Sequence, residues 1–189
     1  MSQAAIASSQ SLNGFNLQAL QDIVEHVSAD PSAAVVGFLV SSRWSGAARV
    51  ESRVTEYELA GQKIQRQHVI RSDEPRELLG EDSAPNPQEL LFAALNACMI
   101  FGYVTNAAAL GITVERLSIE THGSLDIRGA LAVADVPAGM PEIHYTVRIR
   151  ANADAEQLEA LHQAVIAHSP NRFHLAQPIR LVPKLTIEG

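Results

Sequence analysis

Residues 84–111 read APNPQELLFAALNACMIFGYVTNAAALG, and this stretch decides the fold because it predicts one long apolar helix. Asn86 is suited to be the N-cap, Pro87 occupies a position where a missing N–H costs nothing, and Glu89 completes a capping-box spacing. Gly111 favours the left-handed conformation that ends a helix. The predicted helix is therefore about 24 residues long, or roughly 36 Å, and the other elements are expected to pack around it.

The only cysteine of the chain, Cys98, lies near the middle of this helix. Alternating spacings of four and three residues place a set of residues on one helix face. These residues are Leu91, Leu95, Cys98, Gly102 and Thr105. Cys98 is therefore expected to face inward if this stripe packs against the core.

The apolar run from Leu90 to Leu110 is long enough for a membrane span. Polar residues such as Asn96, Thr105 and Asn106 interrupt it, however, and no basic cluster flanks it. The run is therefore predicted to be a buried core helix, and no membrane partner is expected.

The composition suits either one globular domain or a domain with an N-terminal extension. The chain has 189 residues, 47% hydrophobic residues and no low-complexity tract. Residues 1–33 are assigned to a tail and an amphipathic helix, and residues 34–189 to the domain. A net charge of −7 without a basic stripe argues against nucleic acid and acidic membrane surfaces as partners.

The N-terminus lacks the charged and apolar regions of a secretory signal. One cysteine also cannot form an internal disulfide. A reducing cytoplasm is therefore the expected location.

Four elements are predicted before the long helix. After a tail at residues 1–14, apolar residues at helical spacing predict a surface helix over residues 16–27 that ends before Pro31. Three strands are predicted at residues 34–40, 48–59 and 63–71. With Gly61-Gln62 as a hairpin turn, an antiparallel meander is expected.

Alternating apolar residues predict further strands after the long helix. The strands are predicted at residues 113–123, 142–150 and 179–187. A helix is predicted from Asp154 to a stop near Ser169-Pro170, because the residue before proline avoids helical geometry. The order βββαββαβ predicts an α+β fold with antiparallel sheets packed on a long central helix, and not a parallel nucleotide-binding sheet.

Six segments form a recognisable pattern along the chain. They are Asp73-Glu74-Pro75, Gly80-Glu81-Asp82, residues 84–91, Ala94-Leu95-Asn96-Ala97-Cys98, Gly111-Ile112 and His168-Ser169-Pro170-Asn171. Together they resemble the OsmC/Ohr family, and the segment from Pro85 to Cys98 is the most specific part. The resemblance covers roughly residues 36–187 and implies an OsmC-like α+β fold in which two chains intertwine as a homodimer.

The resemblance also implies an activity. A reactive thiol on the central helix, here Cys98, lies near the subunit interface in this family and reduces organic hydroperoxides and hydrogen peroxide. An arginine of the early strands stabilises the thiolate, and a glutamate at the start of the cysteine helix holds that arginine. A second cysteine and dithiol reductants such as lipoylated proteins complete the cycle.

Peroxide reduction requires a thiolate, which becomes a sulfenic acid. A cysteine in the middle of a helix gains little from the helix dipole, and apolar surroundings disfavour the thiolate. A cation from elsewhere is therefore needed. Arg43 and Arg49 are the candidates, and Arg49 is slightly favoured because it follows the turn at Gly46.

Two positions depart from the family pattern. The glutamate that holds the arginine falls on Gln88, which is neutral, and the neighbouring Glu89 points about 100° away on a helix. Either Gln88 or Glu89 is then left to orient the arginine. The second cysteine falls on Ser169, and a hydroxyl cannot form a disulfide, so the cycle needs an external thiol or dithiol that reduces the sulfenic acid directly.

No metal or cofactor is expected from the sequence. His162, His168 and His174 are six residues apart, a spacing that does not share a helix face or match metal-ligand motifs. No Gly-rich phosphate loop or dinucleotide motif occurs.

Two functions of different classes are therefore expected. The first is a one-cysteine OsmC-like enzyme in which Cys98 reduces a hydroperoxide, with organic substrates favoured by the apolar helix faces. The second is a non-catalytic homodimer that binds a small apolar ligand or uses Cys98 as a redox sensor. A thiolate at neutral pH distinguishes them, because only the first function requires it.

Overall fold

The computed structural model describes residues 11–188 and contains helices and antiparallel sheets. These residues divide into two compact units. The first unit comprises residues 11–93 and 108–113, and the second comprises residues 94–107 and 114–188. The long central helix contributes residues to both units.

The N-terminal part of the first unit is a hairpin followed by a helix. Strands β1 (Ser11–Leu12) and β2 (Phe15–Asn16) pair through Asn13 and Gly14, which have φ values of 52° and 84°. Helix α1 (Leu17–Ala29) confirms the predicted surface helix. The predicted tail at residues 1–14 is wrong from Ser11 onward, because Asn-Gly readily adopts the left-handed turn of a tight hairpin; residues 1–10 lie outside the described residues.

A four-stranded antiparallel sheet follows in the first unit. Its strands are β3 (Val36–Phe38), β4 (Ser41–Trp44), β5 (Val50–Leu59) and β6 (Gln62–Ser72). β5 pairs with β6 along one edge and with both β3 and β4 along the other. The predicted three-strand meander therefore missed β4, a short polar strand with no alternating apolar pattern to reveal it.

The hairpin turn between β5 and β6 is one residue earlier than predicted. Ala60 and Gly61 are its central residues, with φ values of 49° and 74°. Both are in the left-handed region, as a two-residue turn between antiparallel strands requires. Gln62 is therefore the first residue of β6 and not part of the turn.

Helix α2 (Pro87–Ala109) is the predicted long helix, and its capping box is confirmed. The N–H of Glu89 donates to Asn86 Oδ1 at 2.9 Å, and the N–H of Asn86 donates to the Glu89 carboxylate at 2.8 Å. The most buried residues of its second-unit part, each at most 3% exposed, are Leu95, Met99, Tyr103 and Ala107. The buried residues follow a four-residue spacing, whereas the predicted stripe alternated spacings of four and three, so the prediction is displaced by about one residue. Cys98 lies half-buried beside this buried row.

By length and hydropathy alone, α2 is able to cross a membrane, with a mean hydropathy of 1.5. Its polar side chains nevertheless have partners in the second unit. Asn96 donates to Ile119 O at 3.5 Å and accepts from Thr121 at 2.5 Å, and the Tyr103 hydroxyl bonds to His162 Nδ1. These bonds join α2 to other elements of the second unit, as expected for a core helix.

The second unit contains a two-stranded sheet and three more helices. Its elements are β7 (Val114–His122), α3 (Ile127–Ala130), β8 (His144–Ala151), α4 (Ala155–His168) and α5 (Pro170–Ala176). β7 and β8 pair antiparallel, as the sequence predicts. The capping box of Asp154 begins α4 and confirms the predicted start. Helix α5 was not predicted, although Ser169 as N-cap and Pro170 at the first position are its start signals.

The final strand predicted at residues 179–187 is not formed within this chain. Residues 177–188 contain no helix or strand, and their apolar side chains are exposed. Leu181 and Leu185 are each 84% exposed. A strand needs a partner edge for its backbone groups, and this segment pairs with none in the described part of the chain.

Candidate functional site

Cys98 borders a cavity of about 270 Å³ in the second unit. Helices α2 and α4 and the start of α5 form its walls. The other lining residues are Phe101, Gly102, Thr105, Asn106, Val165, His168, Ser169 and Pro170. The half-buried thiol therefore faces a small space with both apolar and polar walls.

Ser169 is the polar group in contact with the cysteine. Its Oγ lies 3.5 Å from Cys98 Sγ, and the residue is only 5% exposed. The same Oγ accepts the backbone N–H of Arg172 at 3.4 Å as the N-cap of α5. Because Ser169 accepts there, its own hydroxyl hydrogen is free to donate to the sulfur, and a thiolate can only accept this bond.

Local sequence explains how Ser169 reaches this position. Pro170 ends α4 after His168 and begins α5, which turns the chain at the serine. Asn171 then donates its side-chain amide to Ala94 O on α2 at 2.8 Å. This bond fixes the start of α5 against the helix that carries Cys98.

Gly102 lines the cavity one turn after Cys98. A Cβ at this position would lie 3.4 Å from Val165 Cγ1. This distance is an ordinary van der Waals contact, so an alanine would fit, and only a longer side chain would enter the space between α2 and α4.

Arg49 is the last residue of a hydrogen-bonded turn in the first unit. Its N–H donates to Gly46 O at 3.0 Å, and its carbonyl accepts from Ser45 at 2.9 Å. Gly46 has a φ of 101°, which favours glycine. The guanidinium of Arg49 donates to the carboxylate of Glu81.

Arg43 has different surroundings on the four-stranded sheet. It donates to Glu51 at 2.9 Å, and Arg53 donates to the same carboxylate at 2.8 Å, with Arg71 at 3.5 Å. Hydrogen bonds from Arg43 and then from Arg53 lower the pKa of Glu51 to about 2. Arg43 is therefore part of a structural charge cluster, whereas Arg49 has a single carboxylate partner.

The loop that carries Glu81 is anchored by a buried carboxylate. Asp73 is 1% exposed and accepts from the hydroxyl of Ser83 at 2.7 Å and from the backbone N–H groups of Glu74, Glu81 and Ser83. These bonds, led by the Ser83 hydroxyl, lower the pKa of Asp73 below 3.8. The loop holds Glu81 beside Arg49. This role of Glu81 was not predicted, although Gly80-Glu81-Asp82 is one of the segments that resemble the family.

Gln88 and Glu89, the predicted arginine-orienting pair, lie exposed in the first turn of α2. The Glu89 carboxylate accepts the N–H of Asn86, as described above, and so caps the helix. The structure thus brings Cys98 together with Ser169 in the second unit and Arg49 together with Glu81 in the first.

Within residues 11–188, no three His, Cys, Asp or Glu side chains are grouped so that they could hold a metal ion. Of the three histidines considered as metal ligands, His162 bonds to Tyr103, and His168 Nδ1 bonds to Ala164 O at 2.8 Å. His174 lies edge-on to Phe173. Each therefore has a local structural contact.

A comparison with known families matches residues 80–183, more than half of the chain, to the family described as OsmC-like protein. The chain belongs to the OsmC-like family. The matched region contains Glu81, Cys98 and Ser169, whereas Arg43 and Arg49 precede it. Among curated proteins, none matches the chain.

Solved structures show the same OsmC-like fold. An OsmC-like protein from Mycoplasma pneumoniae has a TM-score of 0.58 at 18% identity, over 74% of this chain and 86% of that one. A protein of osmotic stress and detoxification response from Psychrobacter arcticus has a TM-score of 0.55 at 17% identity, over 70% and 84%. At these identities the likeness establishes the fold alone.

Proposed function

We propose that the protein is a one-cysteine thiol peroxidase in which Cys98 reduces organic hydroperoxides and hydrogen peroxide in oxidative stress defence. The observation that carries the proposal is the contact of 3.5 Å between Cys98 Sγ and the buried hydroxyl of Ser169, at the wall of a cavity. Family membership supports the coarser role of a redox and stress-response protein.

The reaction has two stages that balance in atoms and electrons. The Cys98 thiolate attacks the terminal oxygen of the hydroperoxide, the O–O bond breaks, and the departing alkoxide takes a proton to become an alcohol, which leaves Cys98 as a sulfenic acid. An external thiol then displaces water to form a mixed disulfide. A second thiol releases the Cys98 thiol and leaves the reductant as a disulfide.

Ser169 has a defined part in this scheme. Its hydroxyl is placed to donate a hydrogen bond to the sulfur before the reaction and to hydrogen-bond the sulfenic acid after it. It cannot replace the external reductant, because no disulfide forms with a hydroxyl. The sulfenic acid therefore persists until an outside thiol or dithiol enters.

The proposed working form is a cytoplasmic homodimer. Large apolar side chains in both units are exposed in the single chain, among them Phe38, Trp44, Leu181 and Leu185. Such surfaces are normally covered by a partner. Intertwining of two chains would bury them.

The decisive experiment measures the consumption of cumene hydroperoxide with excess dithiol reductant. The natural protein is compared with Cys98→Ser and with Ser118→Ala, an exposed serine on β7 that serves as the matched control. Turnover is expected in the natural protein and in Ser118→Ala, and is expected to vanish in Cys98→Ser. Equal background rates in all three proteins would refute the peroxidase and leave the ligand-binding alternative.

A further inference from the structure

A second cavity of the second unit, with a volume of about 260 Å³, does not include Cys98 in its lining. Its apolar wall is formed by Leu95, Met140, Ile143 and Leu175. Its polar lining residues are Arg172, Tyr145 and Glu142. An apolar space with a few convergent polar groups is the usual form of a small-ligand site.

Arg172 is half-buried in this cavity, and its charge lacks a counterion there. Its Nε donates to the Tyr145 hydroxyl at 3.1 Å, and its Nη1 donates to Ile166 O at 3.0 Å. Among residues 11–188, no carboxylate forms an ion pair with it, and its Nη2 has no protein acceptor. This half-buried guanidinium therefore has unused N–H donors that are available to an anion.

Tyr145 supplies a second donor beside the arginine. Its oxygen accepts from Arg172 Nε, and its own hydroxyl hydrogen has no other acceptor among the described residues. The hydroxyl and the guanidinium belong to the same hydrogen-bonded pair, so their free hydrogens are close together. Two adjacent donors suit the two oxygens of a carboxylate.

We propose that this cavity binds a small apolar monocarboxylate, with its carboxylate bonded by Arg172 and Tyr145 and its hydrocarbon body against Leu95, Met140 and Leu175. The volume lies below the roughly 300–1,000 Å³ of drug-sized ligand sites, so the ligand is small. A single guanidinium neutralises one negative charge, which favours a carboxylate over a doubly charged phosphate. The proposal does not depend on the peroxidase function.

Glu142 is the acidic residue at this cavity and would oppose an anion. Its side chain is 71% exposed, however, and its carboxylate lies 2.8 Å from His144 Nε2, whose N–H can donate to it. Solvent screens the charge of such a group from the half-buried guanidinium. Its opposition is therefore weaker than the attraction of Arg172.

Isothermal titration calorimetry with octanoate and octanamide tests the proposal, because these ligands share a chain and differ in the charged group. Octanoate is expected to bind the natural protein at least about tenfold more tightly than octanamide, in keeping with a charge-assisted hydrogen bond. Arg172→Gln is expected to remove this preference, with about 10- to 100-fold weaker octanoate binding. Arg150→Gln, an exposed arginine on β8, is the matched control and should keep the natural affinity.

Tyr145→Phe keeps the test meaningful if Arg172→Gln fails to fold. This variant removes one hydroxyl and is expected to weaken octanoate by about 3- to 10-fold while it leaves octanamide unchanged. Equal binding of the two ligands by the natural protein, or no octanoate binding below about 1 mM, would overturn the proposal. None of these measurements involves Cys98 or a peroxide.

Discussion

The thiol of Cys98 and the hydroxyl of Ser169 face each other at 3.5 Å, close enough for a disulfide to form if the oxygen were sulfur. Ser169→Cys is therefore expected to form an intramolecular disulfide with Cys98 when a stoichiometric peroxide is added. The bond would close a loop of about 70 residues and stabilise the oxidised form by roughly 2–4 kcal/mol. Intact mass before and after thiol alkylation, together with the melting temperature, measures both effects.

The control for this variant is Ser118→Cys, which adds a cysteine at an exposed position of β7 in the same unit. After peroxide treatment this variant should show no intramolecular disulfide, and its two cysteines should stay free or be oxidised separately. A Ser169→Cys protein that keeps two alkylatable thiols at full oxidation would show that the 3.5 Å contact does not describe the protein in solution.

Substitutions of two glutamates near the start of α2, Glu81 and Glu89, are expected to affect activity and stability separately. We propose that Arg49 is the arginine that stabilises the Cys98 thiolate, as the family resemblance implies. Glu81→Gln removes the charge that holds Arg49, and we therefore expect up to about a fivefold loss of peroxide consumption. The melting temperature should change little, because an exposed ion pair contributes only about 0.2–1 kcal/mol. Glu89→Ala removes a capping bond and should lower the free energy of unfolding by about 0.5–1 kcal/mol without slowing turnover. Steady-state rates and thermal unfolding of both variants measure these effects. A larger rate loss in Glu89→Ala than in Glu81→Gln would mean that Glu89, and not Glu81, orients the arginine.

At the scale of elements, the loop from Asp73 to Ser83 depends on one ionised carboxylate. Folding lowers the pKa of Asp73 below its ordinary value of 3.8, chiefly through the Ser83 hydroxyl, so the group stabilises the folded state above pH 3.8. That stability is lost as the pH falls through the folded-state pKa. Asp73→Asn is expected to have a lower free energy of unfolding at neutral pH, because its amide NH₂ replaces an oxygen that accepts hydrogen bonds from the loop. Its free energy of unfolding should also fall less as the pH is lowered, because the variant lacks the titrating carboxyl.

Denaturant unfolding from pH 7 to pH 2 measures this dependence for the loop. Asp82→Asn is the matched control, since Asp82 is an exposed residue of the same loop with a φ of 58° that asparagine tolerates. If Asp73→Asn and Asp82→Asn had the same pH profile, the carboxylate of Asp73 would not be the anchor.

The sequence predicted the elements whose signals are local. The capping box at Asn86 and Glu89 located the start of α2, and the alternation of β7 and β8 located the second sheet. The buried stripe of α2 was misplaced because apolar residues surround this helix, so spacing alone does not select the packed face. The strand predicted at residues 179–187 is absent because strand pairing depends on a partner edge that local pattern cannot supply.

At the scale of the whole molecule, the sequence identified residues more readily than their partners. Cys98 and Ser169 were named from the family pattern, and their mutual distance required the structure. The pairing of Arg49 with Glu81 joins residues 32 positions apart. The pairing of Arg172 with Tyr145 joins different elements across 27 positions. No periodicity links such positions, because side-chain contacts of high sequence separation are set by the fold.

The C-terminal segment argues for a second copy of the chain. Ile179, Leu181, Leu185 and Ile187 have the same parity, so they share one face of an extended strand, and each is more than half exposed. We expect a solution mass about twice 20.4 kDa by light scattering, because a partner chain offers the missing strand edge. Leu181→Asp with Leu185→Asp should abolish the dimer, whereas Lys184→Glu, a charge change in the same segment, should preserve it. A monomer for the natural protein at micromolar concentration would mean that these side chains stay in water, and the apolar alternation of the segment would then need another partner.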